Sequence, residues 1–323
     1  MRLVAVTRVL NEDDIVEAFV RHHAALVDHH ILLDNGSTDR SLAILKALRA
    51  EGLPLTVLQT RAAHFCEPPV LTALHRMAAG MGADWVLMLD CDEFVDQRGA
   101  EGGLRAVLEA LPPEQGVLHL PTVPYYVTAG DDAAELLVPR RIRHREPQPQ
   151  PNPKVVARGA LALQNVTVAA GSHGVVQNGR YLPAPTATGV RLAHYERRSS
   201  AQLVAKHVIG RLKTIAAGQT ATDNKWATHY NRIFETTRDD PAATVGNPGL
   251  LAAMTPAGLI EDPIDYLGGA LRHTVAADPA LKAAASLAAF GEALASQHAR
   301  LLDTNEGARL QAHNWSLTWT RLG

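Results

Sequence analysis

Three features of the sequence predict an α/β protein with a mainly parallel sheet flanked by helices. Strand and helix patterns alternate through residues 1–95, the run Trp85–Leu89 is continuously apolar, and polar clusters follow successive apolar runs. Strands alternating with helices pair in parallel, because each helix carries the chain back to the same edge. A strand that is apolar at every position needs cover on both faces.

The elements follow in order. Residues 3–9 form a short valine-rich run, read as the first strand. Residues 14–27 carry Ile15, Ala18, Phe19, His22 and Leu26 at helical spacing. Residues 30–33 are the second strand, stopped by Asp34-Asn35-Gly36, where Asn-Gly marks a tight turn. Ser37-Thr38-Asp39 supplies capping oxygens for a helix over 41–50, and Gly52 ends it. Residues 55–58 are the third strand and 70–81 the third helix, with Leu71, Leu74, Met77 and Met81 on one face. The apolar run at 85–89 is the fourth strand. Residues 116–120 form another, and 139–153, rich in Pro and Arg, read as an exposed loop or lid. Residues 154–176 and 190–195 read as further strands. From Ser199 the pattern turns helical, with Leu203, Val204, His207, Val208 and Leu212 on one face, and 270–302 is an Ala/Leu-rich helix.

Composition narrows the function. The 323 residues are 46% hydrophobic and 20% charged, enough to bury a core without cross-links. Lys and Arg number 31 against 33 Asp and Glu, a balance that disfavours coating nucleic acid or anionic membrane. Two cysteines, Cys66 and Cys91, are too few for a disulfide framework, and no run approaches a membrane span. The expectation is a cytoplasmic enzyme without a signal peptide.

Asp90-Cys91-Asp92-Glu93 follows the fourth strand directly. Ligands of open α/β sheets bind beyond the carboxyl ends of strands. Two Asp one residue apart there can both reach a hard cation such as Mg²⁺ or Mn²⁺, whose shell substrate phosphates complete; the bland reading is a polar strand end capping a turn. Cys91 between them points into packing. Asp34 precedes its turn and projects toward the same crevice, and Asn11-Glu12 follows the first strand. Both clusters would serve equally as turn and cap. His22, His23, His29 and His30 read as packing and surface. The first strand-helix turn, Thr7 to Glu12, lacks Gly-x-Gly-x-x-Gly, and no Gly-x-x-x-x-Gly-Lys-Ser/Thr occurs, which sets aside dinucleotide folds and P-loop enzymes.

Taken together, Asn11-Glu12, then Asp28-His29 through Asp34-Asn35-Gly36-Ser37-Thr38-Asp39, then Asp90-Cys91-Asp92-Glu93-Phe94 resemble a GT-A glycosyltransferase of the family 2-like group. The resemblance is specific through residue 95. It continues more loosely through Lys154 to Arg158, Ser172-His173-Gly174, Leu192 to Tyr195 and the Ser199 helix, to about residue 235. It implies a GT-A catalytic domain over 1–198, with a nucleotide-binding half at 1–95 and an acceptor half at 96–198, and a helical region over 199–323. It further implies that Asp34 binds the uridine or its ribose, with Asn11 and Glu12 nearby. Asp90 and Asp92 would hold the donor and its metal, with His194 as third ligand and His173 the competing candidate.

The implied reaction moves a sugar from a nucleotide-diphosphate donor, a UDP-sugar foremost, to a carbohydrate or lipid-linked glycan hydroxyl, with inversion and with Mn²⁺ or Mg²⁺. Such a donor departs carrying negative charge, for which Lys154, Arg158 and the Arg140-Arg141-Arg143 cluster are cationic candidates, the cluster reading equally as a solvated loop. Inversion needs a base; Asp131 or Asp132 is the choice, with Glu93 and Glu196 beside the metal motif. Tyr125 and Tyr126 could stack on a sugar or pack in the core. Two other readings stand beside this one: a haloacid-dehalogenase-like phosphatase with Asp90 as nucleophile, and a degenerate glycosyltransferase-fold protein that binds glycans without catalysis. The helical C-terminal region is open to three roles: covering the site, forming a homodimer, or touching a membrane peripherally.

Overall fold

A computed structural model describes residues 1–60, 63–64, 67–218, 227–245, 247–304 and 306. Cys66 and the segment 307–323 of the expected helical region lie outside them. Strands β1 (Leu3–Val9), β2 (His29–Asp34), β3 (Leu55–Gln59) and β4 (Trp85–Asp90) alternate with helices α1 (Val16–Ala24), α2 (Ser41–Ala50) and α3 (Glu67–Gly80). The four strands pair in parallel in the order β3-β2-β1-β4. This is the mainly parallel sheet flanked by helices that the alternation predicts. Two antiparallel strands extend it, β9 (Lys154–Arg158) beside β4 and then β6 (Val117–Leu120).

A second sheet collects β5 (Glu93–Asp96), β7 (Thr122–Tyr126), β8 (His144–Arg145) and β13 (Arg191–Arg197), with β14 (Ile260–Glu261) at its edge. Only Cys91 and Asp92 separate β4 of the first sheet from β5 of the second. The acidic tetrad is therefore the crossing point between two sheets. A small antiparallel sheet, β10 (Val166–Val168), β11 (Val175–Gln177) and β12 (Arg180–Tyr181), covers α3. After α4 (Gly103–Glu109) and α5 (Val138–Arg141), the C-terminal part is helical: α6 (Ser200–Ala216), α7 (Asn231–Asp239), α8 (Leu250–Ala253) and α9 (Pro279–Leu302).

Four local expectations differ from the structure. Helix α3 begins at Glu67, not 70, because Pro68 and Pro69 fall in its first turn, where their missing N–H groups have no intrahelical partner to lose. The stretch 139–153 is no open loop: α5 and β8 lie in it, Ile142 is fully buried, and Arg145 packs against Asp262 at 2.7 Å. Residues 154–176 break after β9 into a helical turn, Gly159–Leu163, and a hairpin. Residues 270–278 are not helical either. Glu17, fully buried on α1, accepts the backbone N–H groups of Arg272, His273 and Thr274 at 2.6 to 2.8 Å and holds this segment as an extended strap. Among the described residues no helix is long and apolar enough to cross a membrane.

His22, His23 and His30 belong to the core, while His29 is half-buried beside Thr56. His22 donates from Nε2 to the Val95 carbonyl at 2.8 Å and accepts from the Leu267 N–H at Nδ1. His23 donates from Nδ1 to the Phe19 carbonyl and accepts from the Val95 N–H. Both rings are thus satisfied in the neutral state and pack around Phe19 and Phe94. Burial lowers His22 to about 4 and His30 to about 3, and drives His23 well below its ordinary value. In the unfolded chain these rings titrate near 6.5, so below that pH the unfolded state binds more protons than the folded one. Their stabilisation is complete above about pH 6.5 and is lost as pH falls toward 4. Thermal unfolding followed from pH 7 to 4 should show that loss with proton uptake; a flat profile above pH 4.5 would contradict it.

Candidate active site

A cavity of about 1020 Å³ lies where β1, β4 and β13 end, between the sheets and the C-terminal helices. Its floor is the tetrad. Asp90 reaches into the cavity with a side chain 40% exposed and pairs with Lys154 of β9. Burial works to raise Asp90, yet Lys154 outweighs it and holds the carboxyl below its usual value. Asp92 is buried, its side chain 2% exposed. Oδ2 of Asp92 accepts from Lys206 Nζ of α6 at 2.6 Å, and Arg198 Nη1 stands 3.7 Å from the same oxygen. Despite burial, Lys206, His194 and Arg198 keep Asp92 well below the carboxylate range. Glu93, facing Lys154 at 3.5 Å, is pushed by burial up to about 7, and its Oε2 accepts the Asp90 N–H.

The first strand-end loop folds over the tetrad. Asn11 sits at a φ of 56°, a left-handed conformation that Asn tolerates better than most residues. Its N–H donates to Ser37 Oγ, and its Oδ1 accepts the Thr38 N–H at 2.8 Å, sewing this loop to the Asn-Gly loop. Glu12 donates its N–H to Ser41 Oγ and pairs through its carboxylate with Arg198. Burial lifts Glu12 to about 7 against the pull of Arg198 and Lys206. The cap residue of α2 is Arg40, which makes no side-chain capping bond, in place of the capping oxygens expected from 37–39; Asp39, one residue earlier, accepts the Ser41 N–H at 2.9 Å in a turn leading into the helix.

His194, on β13, places Nε2 3.5 Å from Asp92 Oδ1. Strand alternation sends Glu196 the same way, into the cavity, and turns Tyr195 into the core. Burial would lower His194, but Asp92, Glu93 and Glu196 carry it above its ordinary value. Arg198 is the hub, with a side chain 1% exposed, bonded to Glu12, Asp14 at 2.8 Å and the Tyr195 carbonyl.

Not every residue expected here arrives. Asp34 is fully buried, its oxygens taken by the Ser37 N–H and Gln59 Nε2, and it supports the Asn-Gly loop without lining the cavity. Asp131 accepts from Thr128 N–H and Oγ1, and Asp132 from the Ala134 N–H. These two acids close a surface turn and do not line the cavity. Arg158 lies at the far end of β9, with its guanidinium 4.4 Å over Trp85, so it cannot serve the leaving group as Lys154 can. Of the arginine cluster only Arg141 lines the cavity; Arg140 pairs with Glu135 and Arg143 with Glu261. Tyr125 and Tyr126 are buried and bond Asp262 and Glu146. His173 lines the cavity and donates to the Pro153 carbonyl, but it is His194 that meets Asp92.

The donor set suits a hard divalent ion. Two ligands each about 2.1 Å from one ion stand roughly 3 to 3.6 Å apart, and Asp92 Oδ1 and His194 Nε2 are separated by 3.5 Å. Asp90 comes from the same turn, with its Oδ2 directed to Lys154. Among the described residues no three His, Cys, Asp or Glu converge on one point in this conformation; a three-ligand site would need Asp90 to turn toward the other two.

Arg198 and Lys206 are absent from the residues the sequence singled out. Their signal was there: Arg198 follows a strand end as the acids do, and Gln202, Lys206 and Lys213 share one face of α6, lining the cavity. Ser199, from which the sequence turns helical, caps α6, its Oγ accepting the Gln202 N–H.

No family model and no protein of curated function matches the chain. Several solved structures are similar to it. A mannosyltransferase from Pyrobaculum calidifontis in complex with GDP-Man and Mn²⁺ is 13% identical, with a TM-score of 0.40, over 96% of this chain and 83% of that one. Glucosyl-3-phosphoglycerate synthase from Mycobacterium tuberculosis, in complex with Mn²⁺, UDP and phosphoglyceric acid, is 20% identical over 67% and 78%, with a TM-score of 0.35. A 4-diphosphocytidyl-2C-methyl-D-erythritol synthase is 14% identical over 50% and 76%, with a TM-score of 0.26.

Proposed function

We propose that the chain is a metal-dependent glycosyltransferase of the GT-A, family 2-like kind, moving a sugar from a nucleotide-diphosphate donor, a UDP-sugar foremost, to a hydroxyl acceptor with inversion. One observation carries this reading. Asp90, Asp92 and His194 stand with Lys154, Arg198 and Lys206 on the wall of one cavity, into which the carboxyl ends of the parallel strands β1 and β4 open. Acids alone would repel a diphosphate, and cations alone would not hold a metal; the mixture suits both together.

Asp90, Asp92 and His194 would hold Mn²⁺ or Mg²⁺, which when bound neutralises charge on the departing diphosphate. Lys154 adds a fixed positive charge at the same end of the sheet. Asn11 and Glu12 would border the nucleotide, and Asp34 acts beneath them by shaping the Asn-Gly loop. The C-terminal helices supply Lys206, and Lys282 of α9 ties to Asp13. Of the three roles open to this region, covering the site is the one these contacts support. The acceptor would be a carbohydrate or lipid-linked glycan.

Glu196 replaces Asp131 and Asp132 as the base we propose. It lines the cavity on the same face of β13 as His194. Burial would raise its carboxyl, but His194, Lys206 and Arg197 outweigh that and leave it below its ordinary value, ionised and able to take a proton. Glu196→Gln should lower kcat about 10²-fold while donor binding persists; an unchanged kcat would remove the assignment. The reading as a whole is tested by incubating the protein with UDP-sugars, Mn²⁺ and a panel of glycan acceptors. UDP release that needs the metal supports it. Phosphate release from small phosphoesters without nucleotide would overturn it in favour of a phosphatase.

A further inference from the structure

We propose that Lys206 is a built-in counter-cation of Asp92, which an incoming divalent ion must displace and which then turns its charge to the phosphates of the nucleotide. This inference rests on the metal-dependent reading above and adds a positioning residue to it.

Two cations share one oxygen of Asp92: Lys206 Nζ at 2.6 Å and Arg198 Nη1 at 3.7 Å. A divalent ion held by Asp92 and His194 would bring a third positive centre against that single carboxylate, and at such distances like charges in a buried site repel strongly. One cation must retreat. Arg198 cannot, because Glu12, Asp14 and the Tyr195 carbonyl hold its guanidinium and its side chain is 1% exposed. Lys154 is not involved, being 4% exposed and held between Asp90 and Glu93. Lys206 is the cation with room to move. Its side chain is 26% exposed, it lines the cavity, and its four-carbon stem is flexible. Retreat from Asp92 carries its ammonium into the space a diphosphate would fill.

Metal binding and nucleotide binding are therefore coupled through Lys206. Metal alone would expel an ammonium that then has only the carboxylates Glu12 and Glu196 beside it; with a diphosphate present the expelled charge gains a further, doubly charged partner. The coupling is reciprocal, so the metal tightens the nucleotide by the same factor.

The test is a Mn²⁺ titration followed by the electron paramagnetic resonance signal of the free ion, with and without UDP, on the full chain. Lys206→Met keeps the stem and removes the charge. It should bind Mn²⁺ alone roughly tenfold more tightly than the unaltered protein, and UDP should tighten Mn²⁺ roughly tenfold less. Lys206→Arg should restore the original pattern. Circular dichroism checks the fold, and Lys206→Gln serves if the methionine variant does not fold. If the unaltered protein binds Mn²⁺ with UDP while the charge-removing variant binds Mn²⁺ alone no more tightly, the inference fails and the functional reading stands. If neither protein binds Mn²⁺ even with UDP, both fall.

Discussion

Asp92→Asn should lower sugar transfer about 10³-fold, equivalent to about 4 kcal/mol of transition-state stabilisation. Asp92 is the acid on which the site converges. His194, Lys206 and Arg198 all face it, and it lies between the two sheets. Asparagine keeps the shape and an oxygen for Lys206, but it removes the charge that would hold a divalent ion beside His194. The defect should appear in both kcat/KM and the affinity for UDP with Mn²⁺. Asp90 has a more open environment, paired with Lys154 and with a side chain 40% exposed, so Asp90→Asn should cost less stability than Asp92→Asn. Unchanged donor affinity in the Asp92 variant would remove the metal assignment.

Arg198→Met should cost about 3 to 5 kcal/mol of folding stability, the usual result of removing one partner from a buried ion network. The guanidinium is 1% exposed and stands among Glu12, Asp14 and Asp92. Asp14, at 31% exposed, keeps some water when the arginine goes, and Asp92 keeps Lys206 at 2.6 Å, whereas the buried Glu12 loses the partner that its carboxylate is bonded to. Arg198→Lys should recover only part of the loss, since an ammonium cannot span several acceptors with a planar fork. Urea denaturation at pH 7 measures this; a loss under about 1 kcal/mol would show that the network contributes little.

The sheet was legible because its signals are local. Alternating periodicities and a run apolar at every position from Trp85 to Leu89 have few other physical solutions. The tetrad was legible for the same reason, as its acids are consecutive and follow the strand that fixes their place. Arg198 and Lys206 left only a positional signal, after a strand and along one helix face, while the contacts that define their roles cross 186 and 114 residues. Lys154 and Arg158 show the limit of position without direction. Four residues along one strand separate them by about 13 Å, which puts the first at the site and the second over Trp85 at the opposite end. Asp34, Asp131 and Asp132 illustrate another limit. Short polar side chains after a strand serve a turn as readily as a substrate, and backbone N–H groups claim an oxygen of each. The strap over 270–278 left no periodic trace, since it is held by its own backbone N–H groups on a buried Glu17.

Calorimetric titration of UDP and GDP into the protein, once with Mn²⁺ and once with EDTA, decides whether the cavity is a metal-dependent nucleotide site. A nucleoside diphosphate should bind with the metal, and binding should collapse in EDTA and in Asp92→Asn. Equal binding in EDTA, or none under either condition, would contradict it.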